Sequence, residues 1–156
     1  MNEKRREEIT RVMDVYSGCL YRTACVMLGK PEDAQDILQE TLIKYMEKAP
    51  VFKSEEHEKA WLLKVTGNLC RDFLRFNRRH RYLSLEQAAE ICAEQEDQEI
   101  IKEVILLPAK YKIVLLLFYV EGYQAKEIAH MIGITESAVK KRLQRGRELL
   151  RRRIDQ

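Results

Sequence analysis

The sequence predicts an all-α protein: two small helical domains joined by a flexible acidic linker. Three observations lead there. Gly and Pro number only 6 and 3 among 156 residues, too few for the turns of an all-β chain. Apolar residues recur every three or four positions along successive stretches, the period of a helix with one buried face. Charge is also segregated: residues 1–80 hold 15 Lys and Arg against 13 Asp and Glu, residues 81–103 hold 2 against 7, and residues 104–156 hold 11 against 5. A nearly balanced half, an acidic middle and a basic end imply a domain over 1–80, a linker over 81–98 and a second domain over 99–156.

Between Val12 and Leu28, the residues Val12, Val15, Tyr16, Cys19, Leu20, Thr23, Ala24 and Met27 form one helical stripe. The next helix begins at "KPED". Pro31 suits a first helical position, and Glu32 and Asp33 complement the positive end of the helix dipole. Its core stripe is Ala34, Ile37, Leu38, Leu42, Tyr45, Met46 and Ala49. Asp36, Gln39, Glu40, Ile43 and Glu47 occupy the other face, where Ile43 is a lone apolar residue in acidic surroundings. Pro50 then breaks the chain. A third helix is expected from about Glu56 to Arg79, with Ala60, Trp61, Val65, Leu69, Phe73 and Phe76 inward. Its polar positions include Lys64, Asn68, Arg71, Asp72, Arg75, Arg78 and Arg79.

Residues 80–98, "HRYLSLEQAAEICAEQEDQ", are acidic and poor in large apolar side chains, which marks the linker, with a short helix around Leu85–Cys92. The second domain opens with Ile100, Ile101, Val104, Ile105 and Leu107 on a helix that stops before Pro108. "PAKYKIVLLLFYVEG" follows, opened by Pro108 and closed by Gly122 as a left-handed residue. Its apolar run also fits a buried strand; the flanking Pro and Gly and the helical neighbours favour a helix.

The segment after Gly122, "YQAKEIAHMIGITESAVKKRLQRGREL", carries the most specific pattern. Ala125 to Met131 reads as a short helix and Thr135 as the N-cap of another. Ala129, Gly133 and Val139 stand four and then six residues apart, the spacing of a helix-turn-helix: small Ala permits a close crossing and Gly the positive φ of the turn. Ile128, Ile134, Val139 and Leu143 fill the wedge. Such a unit lays its second helix in the DNA major groove. By helical phase, Ala138, Val139, Leu143, Gly146 and Leu150 face inward. Lys140, Lys141, Gln144 and Arg145 lie where base edges are reached, since Lys and Arg suit guanine and Gln suits adenine. Thr135, Ser137, Arg142 and Arg147 are placed for phosphates, and Arg151 to Arg153 add salt-dependent affinity.

Other classes find little support. The N-terminus "MNEKRREEITR" has no apolar core of a signal peptide, and no apolar run approaches a membrane span, so a cytoplasmic protein without membrane insertion is expected. Cys19, Cys25, Cys70 and Cys92 are widely spaced, as are His57, His80 and His130, so neither disulfides nor a metal site is expected. There is no Gly-rich phosphate loop, paired catalytic carboxylates or nucleophile–His–acid set; an enzyme, a cofactor and a small-molecule substrate are not expected.

Together, the two halves resemble a bacterial RNA polymerase sigma factor of the sigma-70 family, extracytoplasmic-function (ECF) subfamily. "LYRTACVMLGKPEDAQDILQETLIKYMEK" resembles its regions 2.1–2.2, "FKSEEHEKAWLLKVTGNLCRDFLRFNRR" regions 2.3–2.4, and "LPAKYKIVLLLFYVEGYQAKEIAHMIGITESAVKKRLQRGRELL" region 4. The resemblance implies a transcription initiation factor that directs core polymerase to promoters by −35 and −10 elements and assists melting. It implies that Asp33, Asp36, Gln39, Glu40 and Ile43 dock on the polymerase β′ clamp helices, with the β flap a further polymerase contact. It also implies that Trp61, Asn68, Arg71, Asp72 and Arg75 serve the −10 region. Lys140, Lys141, Gln144 and Arg145 would read the −35 element, with Thr135, Ser137, Arg142, Arg147 and Arg151 on phosphates. The loop Phe52–Lys59 would capture a flipped base, although Glu55, Glu56 and Glu58 are unusual near DNA. An anti-sigma factor is an expected partner beside promoter DNA. The alternative is an autonomous helix-turn-helix regulator whose first domain senses a ligand or dimerises.

Overall fold

The computed structural model describes residues 2–76, 90 and 98–155. Among these, all regular structure is helical. The linker, with its expected short helix, and Arg78, Arg79 and Cys92 lie outside the described residues apart from Glu90 and Gln98.

Helix α1 runs Glu3–Leu28, much longer than its apolar stripe, because Asn2 caps it and residues 3–11 are mostly strong helix formers. The Asn2 side-chain oxygen accepts the Arg5 N–H at 2.9 Å. Gly29, at φ 71°, ends the helix in the left-handed conformation. Helix α2, Pro31–Lys48, and helix α3, Glu55–Phe76, complete a three-helix unit. Its core takes Val12, Tyr16, Leu20 and Ala24 from α1, Ala34, Ile37, Leu42 and Tyr45 from α2, and Leu62, Leu63 and Cys70 from α3. Thr41 and Thr66, both buried, place their hydroxyls 3.1 Å apart between α2 and α3, and Thr41 also donates to the Ile37 carbonyl. A polar pair is tolerated there because it is satisfied.

Two readings of the stripe need correction. Val15 is exposed, leaving Tyr16 and Val12 as the inward residues of that turn. In α3 the buried face is Leu62, Leu63, Thr66, Gly67 and Cys70, whereas Ala60, Trp61, Val65, Leu69 and Phe73 are half-buried and Phe76 is 80% exposed. Size misled the reading: the inner face is rich in small residues because other helices approach it closely. A Cβ added at Gly67 would lie 3.6 Å from Ile113 Cδ1, in ordinary contact, so little more than a methyl fits.

The second unit begins with α4, Gln98–Ile105, and α5, Ala109–Leu115, which continues as a π-helical turn over Leu116–Val120. Pro108 is the N-cap residue of α5 rather than its first helical position. Gly122 has φ 78°, as the turn requires. Helices α6, Ala125–Ile132, and α7, Glu136–Ile154, follow. Gly146 of α7 sits against α5: a Cβ there would meet Leu115 Cδ1 at 3.1 Å and Cγ at 3.3 Å. Gly146→Leu is therefore expected to destabilise the fold by about 1–3 kcal/mol through overpacking, read as a lower urea midpoint with unchanged slope.

Helices α5 and α6 also pack on α1 and α3, so one continuous apolar cluster runs through both units. At the far end of the first unit, Arg11 forms a two-pronged ion pair with Glu58, at 3.0 and 2.8 Å, and Tyr45 donates to the same carboxylate at 2.7 Å. Glu58 is 5% exposed. Burial alone would raise its pKa, but the hydrogen bonds from Arg11 and Tyr45 outweigh it and hold the pKa below the ordinary glutamate value. Tyr16, close to this pair, is pushed up to about 12, first by burial.

Candidate nucleic-acid interface

The turn between α6 and α7 is built by local chemistry. Gln124 leads into α6 and its backbone N–H donates to Glu127 Oε1 at 2.9 Å. Gly133, at φ 72°, ends α6, with its N–H on the Ala129 carbonyl. Thr135 caps α7: its Oγ1 accepts the Ala138 N–H at 3.1 Å. Ile128, Ala129, Val139 and Leu143 are buried between the helices, with Ile134 half-buried beside them. The geometry is that of a helix-turn-helix with α7 as the second, outward-facing helix.

On α7, Ser137, Lys140, Lys141, Gln144 and Arg145 are exposed above a seam of Val139, Leu143 and Gly146. Lys140 pairs with Glu136 at 3.4 Å and Arg145 with Glu148 at 3.3 Å. Both are surface pairs one helical turn apart, weak enough to yield to a phosphate or base. Thr135 is exposed and Arg142 half-buried. Arg147 instead donates to the Tyr119 hydroxyl at 2.8 Å, and Arg153 reaches Glu103 at 2.8 Å. Arg147 and Arg151 border an apolar groove of about 480 Å³, floored by Val104, Leu115, Leu116 and Leu150 and flanked by Ile100, Tyr119 and Ile154. No local pattern in the chain marks this groove, since its walls come together only when α4, α5 with its π-helical turn, and α7 pack.

In α3, Trp61, Asn68, Arg71, Asp72 and Arg75 fall within one arc of the helix, as the 3.6-residue period requires. Asp72 and Arg75 are exposed; Trp61, Asn68 and Arg71 are half-buried. Trp61 meets Tyr45 and Phe52 edge-on, with ring centroids 6.0 and 5.8 Å apart. Phe52 also stacks on Tyr45 and meets His57, which fixes the short segment before α3. The loop expected over Phe52–Lys59 is shorter than that, because α3 begins at Glu55. Of its three glutamates, Glu58 is turned inward to Arg11, while Glu55 and Glu56 are exposed. Arg71 donates to Asn68 Oδ1 and to the Ile132 carbonyl, and desolvation lowers its pKa, with Arg142 a second cause.

On α2, Asp36, Gln39, Glu40, Ile43 and Glu47 are all exposed on one face. Asp33 is half-buried, one carboxylate oxygen enclosed without a hydrogen-bond partner. Cys19, Cys25 and Cys70 are free thiols, and burial raises all three pKa values, which leaves them inert. Among the described residues no group of His, Cys, Asp and Glu is arranged to hold a metal, and no helix is long and apolar enough to cross a membrane.

A helix-turn-helix with an open basic face, carried beside a second helical unit with an acidic face, defines a two-domain DNA-binding protein. Comparison with known proteins gives the family. Residues 13–80 match the model "Sigma-70 region 2" and residues 97–150 the model "Sigma-70, region 4". The chain is 29% identical to the ECF RNA polymerase sigma factor SigW of Bacillus subtilis (strain 168), over 92% of this chain and 87% of that protein. Its fold is similar to that of CnrH in complex with the cytosolic domain of CnrY (TM-score 0.72, 21% identity, 96% of this chain and 89% of that one). It is also similar to the sigma factor RpoE solved with the anti-sigma factor NepR from Bartonella quintana (TM-score 0.70, 20% identity, 99% and 98%). The chain belongs to the sigma-70 family, in its ECF group, and as such directs RNA polymerase to promoters rather than catalysing a reaction. The reading as an autonomous regulator falls with that.

Proposed function

We propose that the chain divides promoter recognition between its two helical faces. Helix α7 reads the −35 element through Lys140, Lys141, Gln144 and Arg145, with Thr135, Ser137 and Arg142 on phosphates. Helix α3 serves the −10 region through Trp61, Asn68, Arg71, Asp72 and Arg75. The observation that carries this reading is the exposed polar quartet on the N-terminal half of α7, set over a buried seam by the Thr135 cap and the Gly133 turn. Half-buried Trp61 and exposed Arg75 share one face of α3 but stand about 21 Å apart along it, so the face offers an aromatic edge at one end and a cation at the other, both of which suit unstacked bases. Arg147 and Arg151, expected on phosphates, also rim the apolar groove, which fits an amphipathic acidic helix such as one from the polymerase β flap.

The exposed acidic face of α2 around Ile43 is the dock for the β′ clamp helices, and an anti-sigma factor competes for these polymerase surfaces. Pull-down of purified core polymerase tests the docking role. Ile43→Glu, which changes an exposed residue and leaves the core intact, is expected to weaken capture about tenfold while the melting temperature stays constant. Capture equal to that of the unaltered chain would remove Ile43 from the dock.

A further inference from the structure

Polar crosspieces join the two units beside their shared apolar contact. Helix α1 ends without a basic residue in its last turn. Gly29 N–H takes the Cys25 carbonyl, which leaves the Val26 and Met27 carbonyls beyond the helix's own donors. Both are met by the other domain. Lys112 of α5, only 6% exposed, donates its ammonium to Val26 O at 2.9 Å and to Met27 O at 3.1 Å. A cation at the negative end of a helix dipole is well placed. A second crosspiece is Lys59 to Glu121 at 3.0 Å, with the Glu121 side chain 5% exposed. The third is Arg71 on the Ile132 carbonyl at 3.5 Å, next to Gly67 under Ile113. These contacts cover the Arg71 edge of α3, whereas Lys140, Lys141, Gln144 and Arg145 on α7 stay exposed.

We propose that Lys112 is an interdomain latch that withdraws the Arg71 edge of α3 from nucleic acid in the free chain and leaves the α7 face open. The masking rests on the reading of α3 as a nucleic-acid contact; the latch does not. The latch is reversible for a physical reason. When the domains part, the two carbonyls and the ammonium exchange one another for water, so the buried arrangement holds only a modest net advantage. A partner that binds the separated domains has that difference to overcome, together with the apolar contact of α5 and α6 on α1 and α3.

The test uses the full chain with Lys112→Met, which keeps the aliphatic stem and removes the donors. Closed, the variant strands two buried carbonyls, so it is expected to open, seen as a larger radius of gyration by small-angle X-ray scattering. Its affinity for a fluorescein-labelled oligo(dT) is expected to rise about tenfold, the factor by which a mostly closed population lowers apparent affinity. Binding to a random-sequence duplex is expected to stay level. The loss of a positive charge acts against any gain, so a rise cannot come from non-specific attraction. A scattering profile identical to that of the unaltered chain overturns the latch. Equal gains on single strand and duplex overturn the selective masking. Expansion with no gain on oligo(dT) also overturns the masking; if Arg71→Ala and Arg75→Ala then leave promoter melting by holoenzyme intact, the α3 reading is what failed. Should Lys112→Met not fold, a charge swap carries the test by scattering alone: Glu121→Lys expands the chain, and adding Lys59→Glu closes it again. No recovery in the double variant would count against polar crosspieces as the closing force.

Discussion

Arg11→Ala is expected to cost about 2–3 kcal/mol of stability at neutral pH, somewhat less than the roughly 3–5 kcal/mol for stripping one partner from a fully buried ion pair. The reduction reflects Arg11 itself, whose side chain is 45% exposed and so partly screened, while Glu58 is enclosed. The pH dependence is the sharper readout. In the unaltered chain the folded pKa of Glu58 lies below its unfolded value. Its contribution is therefore present above the ordinary glutamate pKa and lost as pH falls through the folded pKa. Without Arg11, burial becomes the dominant influence and the folded pKa rises above the unfolded one. The sign then reverses: the penalty grows as pH rises through that raised value and fades on acidification. Urea titrations between about pH 4 and 7 should show the Arg11→Ala deficit shrinking toward the acid end. In that background Glu58→Gln should recover part of the loss, since an amide still accepts from Tyr45 and carries no charge. A deficit that is flat with pH would mean that packing of the Arg11 stem, not charge, is what was lost.

The second large effect concerns the promoter. Lys141→Ala with Gln144→Ala should reduce −35-dependent transcription by holoenzyme about a hundredfold, because each good base-edge contact is worth roughly 1–3 kcal/mol of discrimination. Both side chains are exposed and outside every core cluster, so the thermal midpoint should hold. Arg152→Ala, at an exposed position in the terminal basic run, should instead lower binding to all sequences alike and flatten the salt dependence. If the double variant lost affinity uniformly across promoters, α7 would be a positioning helix and not a reader.

What could be read from the chain alone was whatever depends on neighbours in sequence. The periodicity of α1 and α2, Pro31 at the start of α2, the Gly122 and Gly133 turns and the Thr135 cap are all decided within a few residues, and the structure has each of them. The α7 face is legible for the same reason: phase along one helix fixes which side chains share a side. Family membership followed from the order of such local motifs. Four features needed the tertiary structure. The inner face of α3 was misread because its small residues gain meaning only when Ile113 and the α1 core press on them. Glu58 looked like an acid on a DNA-facing loop until Arg11, 47 positions away, was seen to claim it. Arg147 and Arg151 read from the sequence as phosphate contacts, and only the fold shows that they also border a groove whose walls come from three helices. Lys112, an ordinary lysine in an apolar run, caps a helix that ended 84 residues earlier at Leu28. Helical phase and capping are short-range, so one sequence determines them. Which partner a charge finds across a fold is a long-range outcome of packing, and only the assembled domains decide it.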